Sequence, residues 1–401
     1  AFLDYSSSGL ENPLTHLLLA GLAWELLVLR PRIKHEKHVF YISALSGLSH
    51  LSRPDAIVLF LPALVLTLWE AWKEIKWKIF RPLLLGFSPL FAWLAFSFFY
   101  YGFPFPNTAY AKLGSGVPSL LLIKSGAAYL WNSLKWDTLS LTCIAIVSVQ
   151  AFRFKLKYEL ALVAGSLLYL IYILSIGGDF MSGRFISAPF YLAILCLPSL
   201  ISGKKVLGGL LCIALVSSLT NPRSFFSPFP VSQPNLMGLF KFNDTRRFFS
   251  KNTSLLAFLK AGGQNNHEFA HRGKVFRSSN KKLSKSVAIG MFGYMAGPEK
   301  RIIDLYALSD PLLARLPIPN PRKWRIGHFR RKIPNGYETS IESLENHIEE
   351  PALKDYYQKL TFITRGPLLS WDRLRTALAF NLGRYEHLKD NYVASSMSSA
   401  K

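Results

Sequence analysis

The stretch Ile176-Gly-Gly-Asp-Phe-Met-Ser-Gly-Arg-Phe185 decides how this chain is read. One apolar run, Tyr158–Ile176, ends as it opens, and another, Ser187–Ile201, begins as it closes. Runs of this kind approach the roughly 17–25 residues that a helix needs to cross a bilayer. Between them lie three glycines, the acid Asp179 and the base Arg184. Charges this close to hydrocarbon are costly and default to a functional role. The plain alternative is a short surface loop whose aspartate caps the next helix.

Working outward, the pattern repeats. Further apolar runs cover Pro13–Leu29, Val39–Leu51, Ala56–Trp72, Pro82–Tyr101, Thr138–Phe152 and Val206–Leu219. Half of the 401 residues are hydrophobic and the mean hydropathy is +0.22, although a soluble domain must keep its surface polar. The net charge of +23 is unevenly placed. Arg30, Arg32, Lys34 and Lys37 follow the first run, and Lys73, Lys76, Lys78 and Arg81 the third. Arg153, Lys155 and Lys157 follow the fifth, and Lys204 and Lys205 the seventh. Basic residues in every second short connection mark the cytoplasmic side. This puts residues 1–12, 52–55, 102–137, 177–186 and everything after about Thr220 on the outer face.

The expected fold is therefore an α-helical multispanning membrane protein with a C-terminal extracytoplasmic α+β domain. Residues 1–220 form the transmembrane part with about eight spans, 221–244 a linker rich in Pro, Ser and Phe, and 245–401 the soluble domain. In the long outer loop, Pro118–Leu134 reads as an interfacial helix. In the tail, Thr245–Lys260 has helical spacing and stops at Gly262-Gly263, and further helices start at Ser340, near Pro351 and at Ser370. Ser286–Tyr294 and Ile302–Leu305 read as strands around a Gly-Pro turn. Cys143, Cys196 and Cys212 all fall in apolar runs, which leaves neither a disulfide framework nor a CxxC metal site.

Several constellations could carry chemistry. Arg53 and Asp55, in Ser-Arg-Pro-Asp, sit between two apolar runs; they either lock the turn as a pair or hold an arginine ready for a phosphate. Tyr100–Lys112 combines a belt of interfacial aromatics with two prolines and then Asn107 and Lys112, a stiff non-helical loop tolerated at this depth only beside a cavity or protein. His267-Glu268-Phe-Ala-His271 matches the H-E-x-x-H pattern of a zinc hydrolase. Its glycine-rich flanks and the lack of a third ligand at standard spacing argue against that chemistry. Arg322–Lys332 interleaves six cations, Arg325 among them, with Trp324, His328 and Phe329. On an outer membrane face this suits anionic headgroups or a lipid-linked phosphate better than nucleic acid, or is simply a solvated surface.

With these residues assembled, the chain resembles the GT-C membrane glycosyltransferases related to the mycobacterial terminal β-arabinofuranosyltransferases. The matching blocks are Ser8-Gly-Leu-Glu-Asn-Pro13, Ser52-Arg-Pro-Asp55, Tyr101-Gly-Phe-Pro-Phe-Pro-Asn-Thr108 through Lys112, and Gly178-Asp-Phe-Met-Ser-Gly-Arg184. The tail adds Ile303–Arg315, Trp324-Arg-Ile-Gly-His328 and Thr364-Arg-Gly-Pro367. The resemblance implies a polyprenyl-phosphate-linked sugar donor such as arabinofuranose, an envelope glycan acceptor outside the bacterial cytoplasmic membrane, and inversion at the anomeric carbon. It implies no obligatory cofactor, and leaves undecided whether a divalent metal joins the phosphate to Asp179. A carboxylate must take the acceptor proton, and fixed cations must meet the departing phosphate. Arg184, Arg53, Asp55, Asn107, Lys112, Glu11, Arg325 and His328 are the candidates for binding donor phosphate or substrate, and Asp179 is the candidate catalytic acid or base. The family's usual base lies in an outer loop upstream of where this sequence begins, and no Asp-Asp pair occurs here. Either the chain is a fragment of a full-length enzyme or its base is a different acid. The first reading is favoured, and predicts no transfer by the 401 residues alone. A non-catalytic polyprenyl-carrier binding or transport protein is the rival class.

Overall fold

The computed structural model describes residues 2–113, 115–200, 204–220, 242, 245–320 and 324–398. These are mostly helical. In chain order the helices are α1 (Phe2–Ser6), α2 (Asn12–Trp24), α3 (His35–Ser52), α4 (Ile57–Ile75), α5 (Phe80–Tyr101), α6 (Asn107–Leu113), α7 (Ser119–Trp136), α8 (Thr138–Phe154), α9 (Lys157–Ile176), α10 (Ser187–Leu200) and α11 (Lys204–Thr220). The tail adds α12 (Thr245–Thr253), α13 (Leu255–Lys260), α14 (Glu268–Ser278), α15 (Ile289–Ala296), α16 (Tyr337–Ser343), α17 (Pro351–Arg365), α18 (Trp371–Asn381) and α19 (Glu386–Ser398), with strands β1 (Leu283–Ser286) and β2 (Arg301–Asp304). The chain divides into two compact units, Ala1–Ala92 with Ser119–Arg246, and Trp93–Pro118 with Arg247–Lys401. The outer-loop segment 93–118 thus clusters with the tail. The linker read at 221–244 lies, except for Phe242, outside the described residues.

In the first unit every expected apolar run is helical in its described residues. Length and composition sort these helices further. Among the described residues, Asn12–Leu29, Pro54–Tyr101 and Lys157–Ile176 are long and apolar enough to cross a membrane. Helices α7 and α8, bent by 104° at their junction, make a fourth if taken as one broken span. α10 and Leu207–Leu219 are apolar but shorter.

The 48-residue stretch Pro54–Tyr101 is a hairpin of two helices. His38 on α3 meets Thr67 on α4, while Arg53 at the end of α3 meets Asp55 at the start of α4, so these two helices are antiparallel. Gly86 of α5 lies against Ser43, and Phe87 and Leu90 against Gly47, so α5 runs parallel to α3. The reversal occurs at Lys76, whose φ is 44°, and in the 3-10 turn Lys76–Ile79.

Small residues let these helices approach closely. A Cβ on Gly165 of α9 would lie 2.1 Å from the Leu59 carbonyl oxygen of α4, and one on Gly126 of α7 would lie 2.6 Å from the Leu174 backbone. α7 is therefore more than the interfacial helix read from the sequence. It presses Ser125, Gly126 and Tyr129 into the outer end of α9. The core runs through Leu19, Leu22, Leu59, Phe60, Leu162, Ile173, Leu192 and Cys196.

The second unit departs from the sequence reading in four places. Ser286–Tyr294 is not a strand: β1 ends at Ser286 and α15 follows. The helix wins because Phe292 and Ala296, four apart, bury one face, and Phe292 stacks on Phe276 of α14 at 5.7 Å. β1 and β2 pair in parallel, Leu283 opposite Arg301, with α15 as the crossover, so they form no hairpin about the Gly-Pro turn. Residues from Asn107 onward form helix α6, confining the stiff non-helical part to the Pro-Phe-Pro segment before it. α16 starts three residues before Ser340, at Tyr337. α17 and α18 begin where Pro351 and Ser370 set them, with the Ser370 hydroxyl accepting from Arg373 N. The Thr245–Lys260 helix is split by Ser254, which caps α13.

Buried arginines tie this unit together. Arg331 donates to the carbonyls of Leu316, Phe329 and Ala111 at 2.6–2.7 Å, and burial pushes its pKa down to about 10. Arg373 donates to the carbonyls of Ile363, Phe99 and Tyr100 at 2.7–2.8 Å.

Candidate functional site: a five-charge cluster in the helical unit

The loop after α9 is built before its charges are placed. Gly177 and Gly178 adopt φ of 89° and 78°, and Gly178 N donates to the Ile173 carbonyl at 2.9 Å, a left-handed helix end that glycine permits at little cost. Tyr129, fully buried on α7, then clamps the loop from both sides. Its hydroxyl donates to the Met181 carbonyl and accepts from Phe185 N, each at 3.1 Å. Ser125 Oγ donates to the Gly177 carbonyl at 2.8 Å, Asn132 Nδ2 to Ser182 Oγ at 2.6 Å, and Tyr5 OH to the Ser182 carbonyl at 2.8 Å.

On this frame Asp179 Oδ1 accepts from Phe180 N at 2.8 Å, so it does not cap α10. Its Oδ2 accepts from Arg184 Nη1 at 3.2 Å. Arg184 Nη2 donates to Glu11 Oε1 at 2.7 Å, and Arg53 Nη1 stands 3.4 Å from the same oxygen. Arg53 is extended at φ −158°, as the following proline demands, and forks onto Asp55 through Nε and Nη2 at 2.8 Å each. Tyr169 OH donates to Asp55 Oδ2 at 2.7 Å, and the Phe185 ring lies 4.1 Å from the Arg53 guanidinium. Asn12 Nδ2 donates to Ser187 Oγ at 3.0 Å, fastening the start of α2 to that of α10.

Glu11, Arg53, Asp55, Asp179 and Arg184, spread over 173 residues, thus form one network. Burial would raise the Glu11 pKa, but Arg184 and Arg53 hold it below the usual carboxylate value. Burial would lower that of Arg184, but Asp179 and Glu11 keep it raised. Arg184 Nε is buried with no partner among the described residues, so this guanidinium keeps one donor to offer, whereas Arg53 is committed on three sides. Three carboxylates against two arginines leave the cluster one charge negative.

The remaining sequence candidates belong to the second unit. Asn107 is structural there: its amide donates to the carbonyls of Ala307, Leu308 and Asp310 at 3.0–3.3 Å, and its oxygen accepts from Arg315 Nη1 at 3.2 Å. Lys112 is exposed on α6. Arg325 and His328 are partly buried, the His328 ring standing edge-on to Tyr306 at 4.8 Å. His267 caps α14 through Nδ1, which accepts from Phe269 N at 3.2 Å, and packs among Phe248, Phe249 and Phe269. That role takes one of the two imidazoles out of the H-E-x-x-H pattern. Among the described residues no three His, Cys, Asp or Glu side chains gather to hold a metal ion.

The sequence reading missed a second network at the opposite end of α4. His38 Nδ1 pairs with Glu25 Oε1 at 2.8 Å and its Nε2 with Thr67 Oγ1 at 3.2 Å, all three side chains buried. Glu25 opens a π-helical turn, Glu25–Leu29, that continues α2. Nearby, Glu70 accepts from Arg30 and is approached by Lys157 and Tyr158.

No family model, curated protein or solved structure matches this chain.

Proposed function

We propose that this chain is a membrane glycosyltransferase of the GT-C type, moving a sugar from a polyprenyl-phosphate donor to an envelope glycan at the outer face of a bacterial cytoplasmic membrane. The observation that carries the reading is the convergence of Glu11, Arg53, Asp55, Asp179 and Arg184 at one end of an apolar helical bundle. Buried charge there is expensive and serves a charged ligand better than it serves stability. The topology assigned from the basic connections puts this end outside and the Arg30–Glu70–Lys157 end inside.

The roles follow from the partners. Arg184, with its open Nε, meets the donor phosphate; Arg53 and Asp55, locked as a fork with Tyr169, position Glu11 and the loop. A carboxylate held below its usual pKa is a weak general base at neutral pH, so Glu11 acts as an orienting group. Asp179 is the remaining acid of the loop. Because the cluster is already net negative, a phosphate needs further positive charge. Lys112, Arg325 and His328 are the side chains proposed to supply it, and a divalent ion at Asp179 would need the phosphate itself as a ligand.

The test is donor binding and sugar transfer in proteoliposomes, with a polypeptide that includes any residues preceding Ala1. Arg184→Ala is expected to weaken binding of a polyprenyl-phosphate sugar at least tenfold (about 1.4 kcal/mol) and to abolish transfer. Binding without transfer in the unsubstituted protein would favour the rival reading, a polyprenyl-carrier binding or transport protein, since every acid of the cluster is engaged by an arginine or a tyrosine.

A further inference from the structure

The face formed by α12, α13 and α15 has no role in the transfer reading and lies in the second unit from Arg247 onward. α13 buries none of its residues. Leu255 and Leu256 are 72% and 71% exposed, and Phe248, Phe258 and Leu259 are exposed beside them. Phe258 also lines an open groove of about 600 Å³ whose other wall carries Met291, Met295 and Tyr294, the last 82% exposed. The apolar surface is therefore continuous from α13 across the groove to α15. A water-facing protein rarely leaves a patch of this kind bare, and such a patch marks a place where something binds.

The charges around it choose the occupant. From Thr245 to Lys260 the sequence carries Arg246, Arg247, Lys251 and Lys260 and no acid. Lys274 stands at the groove. Exposed leucines and phenylalanines bordered by cations, on short helices that follow an apolar helix in the chain, are the composition of a segment that lies in a bilayer interface with its cations at anionic headgroups.

We infer that α12 and α13, with the Tyr294 wall of the groove, seat the second unit on an anionic lipid surface. The membrane contact of this unit is then the 245–260 helices and not the basic run 322–332. The inference is independent of the transfer reading, because its readout is depth in lipid and not activity.

The test uses the whole chain in proteoliposomes of phosphatidylcholine with phosphatidylglycerol. Cys212→Ser removes the exposed thiol, Cys143 and Cys196 being buried. A fluorophore is then placed at Leu256→Cys, with Leu259→Cys as a second position and Glu345→Cys as a water-facing control. Brominated acyl chains are expected to quench positions 256 and 259 several-fold more than 345. Lys251→Glu with Lys260→Glu is expected to reduce that quenching in the anionic vesicles and to leave it unchanged in pure phosphatidylcholine. Quenching at 256 and 259 no greater than at 345 would overturn the inference. So would protection of 256 that grows with the protein-to-lipid ratio, which would assign the face to a second copy of the chain. Equal loss in both vesicle types would overturn the role of the anionic headgroups.

Discussion

Arg184 donates to Glu11 across 2.7 Å, joining the loop after α9 to the residue that precedes α2. The same Glu11 oxygen faces Arg53 at 3.4 Å, so one carboxylate holds two guanidiniums. Arg184→Ala and Glu11→Gln should each destabilise the helical unit, because each leaves a partly buried charge without its partner. The double variant should recover part of the loss, with a coupling of about 1–3 kcal/mol, read from unfolding in detergent. Strict additivity would mean the bond does not form.

The Glu11 pKa gives this contact a pH signature. A carboxylate lowered in the folded state contributes stability above its unfolded pKa and loses it as pH falls through the folded value. Acid should therefore destabilise the unsubstituted protein more steeply than Glu11→Gln below about pH 4. Parallel curves for the two proteins would remove Glu11 from the network.

Asp310, in the second unit, has the opposite sign. Burial raises its pKa to about 6, although Leu313 N and Tyr337 OH donate to it. A carboxylate raised on folding binds its proton more tightly in the native state, so its contribution falls as pH rises from about 4 to about 6 and stays low above that. Asp310→Asn should flatten thermal stability across this window. Tyr337→Phe should cost about 1–3 kcal/mol by stripping a donor from both carboxylate oxygens.

Gly165 and Gly126 hold helices at distances that admit no side chain. Gly165→Ala sets a methyl 2.1 Å from the Leu59 carbonyl, and the backbone must move to admit it. Overpacking of this kind costs about 1–3 kcal/mol or more. Gly126→Ala should in addition loosen the Tyr129 clamp, so donor binding is expected to fall with it. A variant with unchanged melting would show that α7 and α9 lie farther apart.

The hairpin at Lys76 can be tested by labelling in sealed membranes. A cysteine at Trp77, whose side chain is exposed, should react with an impermeant maleimide only from the inside, and one at Ser182 only from the outside. Reaction of both from one side would break the assigned topology.

Much of the helical unit could be read from its sequence because length, hydropathy and basic connections are local quantities. Arg53 was legible for the same reason: the proline after it forces an extended residue, and Asp55 stands two positions on. The attachment of Glu11 to Arg184 was visible only as two charged boundaries on one face. Tyr129, Tyr5 and Asn132 were not legible, since each meets the loop across 50 or more residues and looks like ordinary bundle aromatic or amide surface beforehand. In the second unit, Gly-rich Ile289–Ala296 misled because so short an apolar run fits a strand as well as a helix. Asn107 misled because a polar residue at a membrane end looks functional until its three carbonyl partners are seen.

The two polar networks lie at Asp55 and Glu70 of the same helix. At 1.5 Å per residue their separation along α4 is about 22 Å, against a hydrocarbon core of about 30 Å. In the proposed membrane setting the bilayer must thin around this unit, or lipid headgroups must dip toward the bundle, at a fraction of a kcal/mol per ångström. The mismatch would draw the phosphate of any lipid beside the loop down to the level of Arg184, and would make the protein prefer thin membranes.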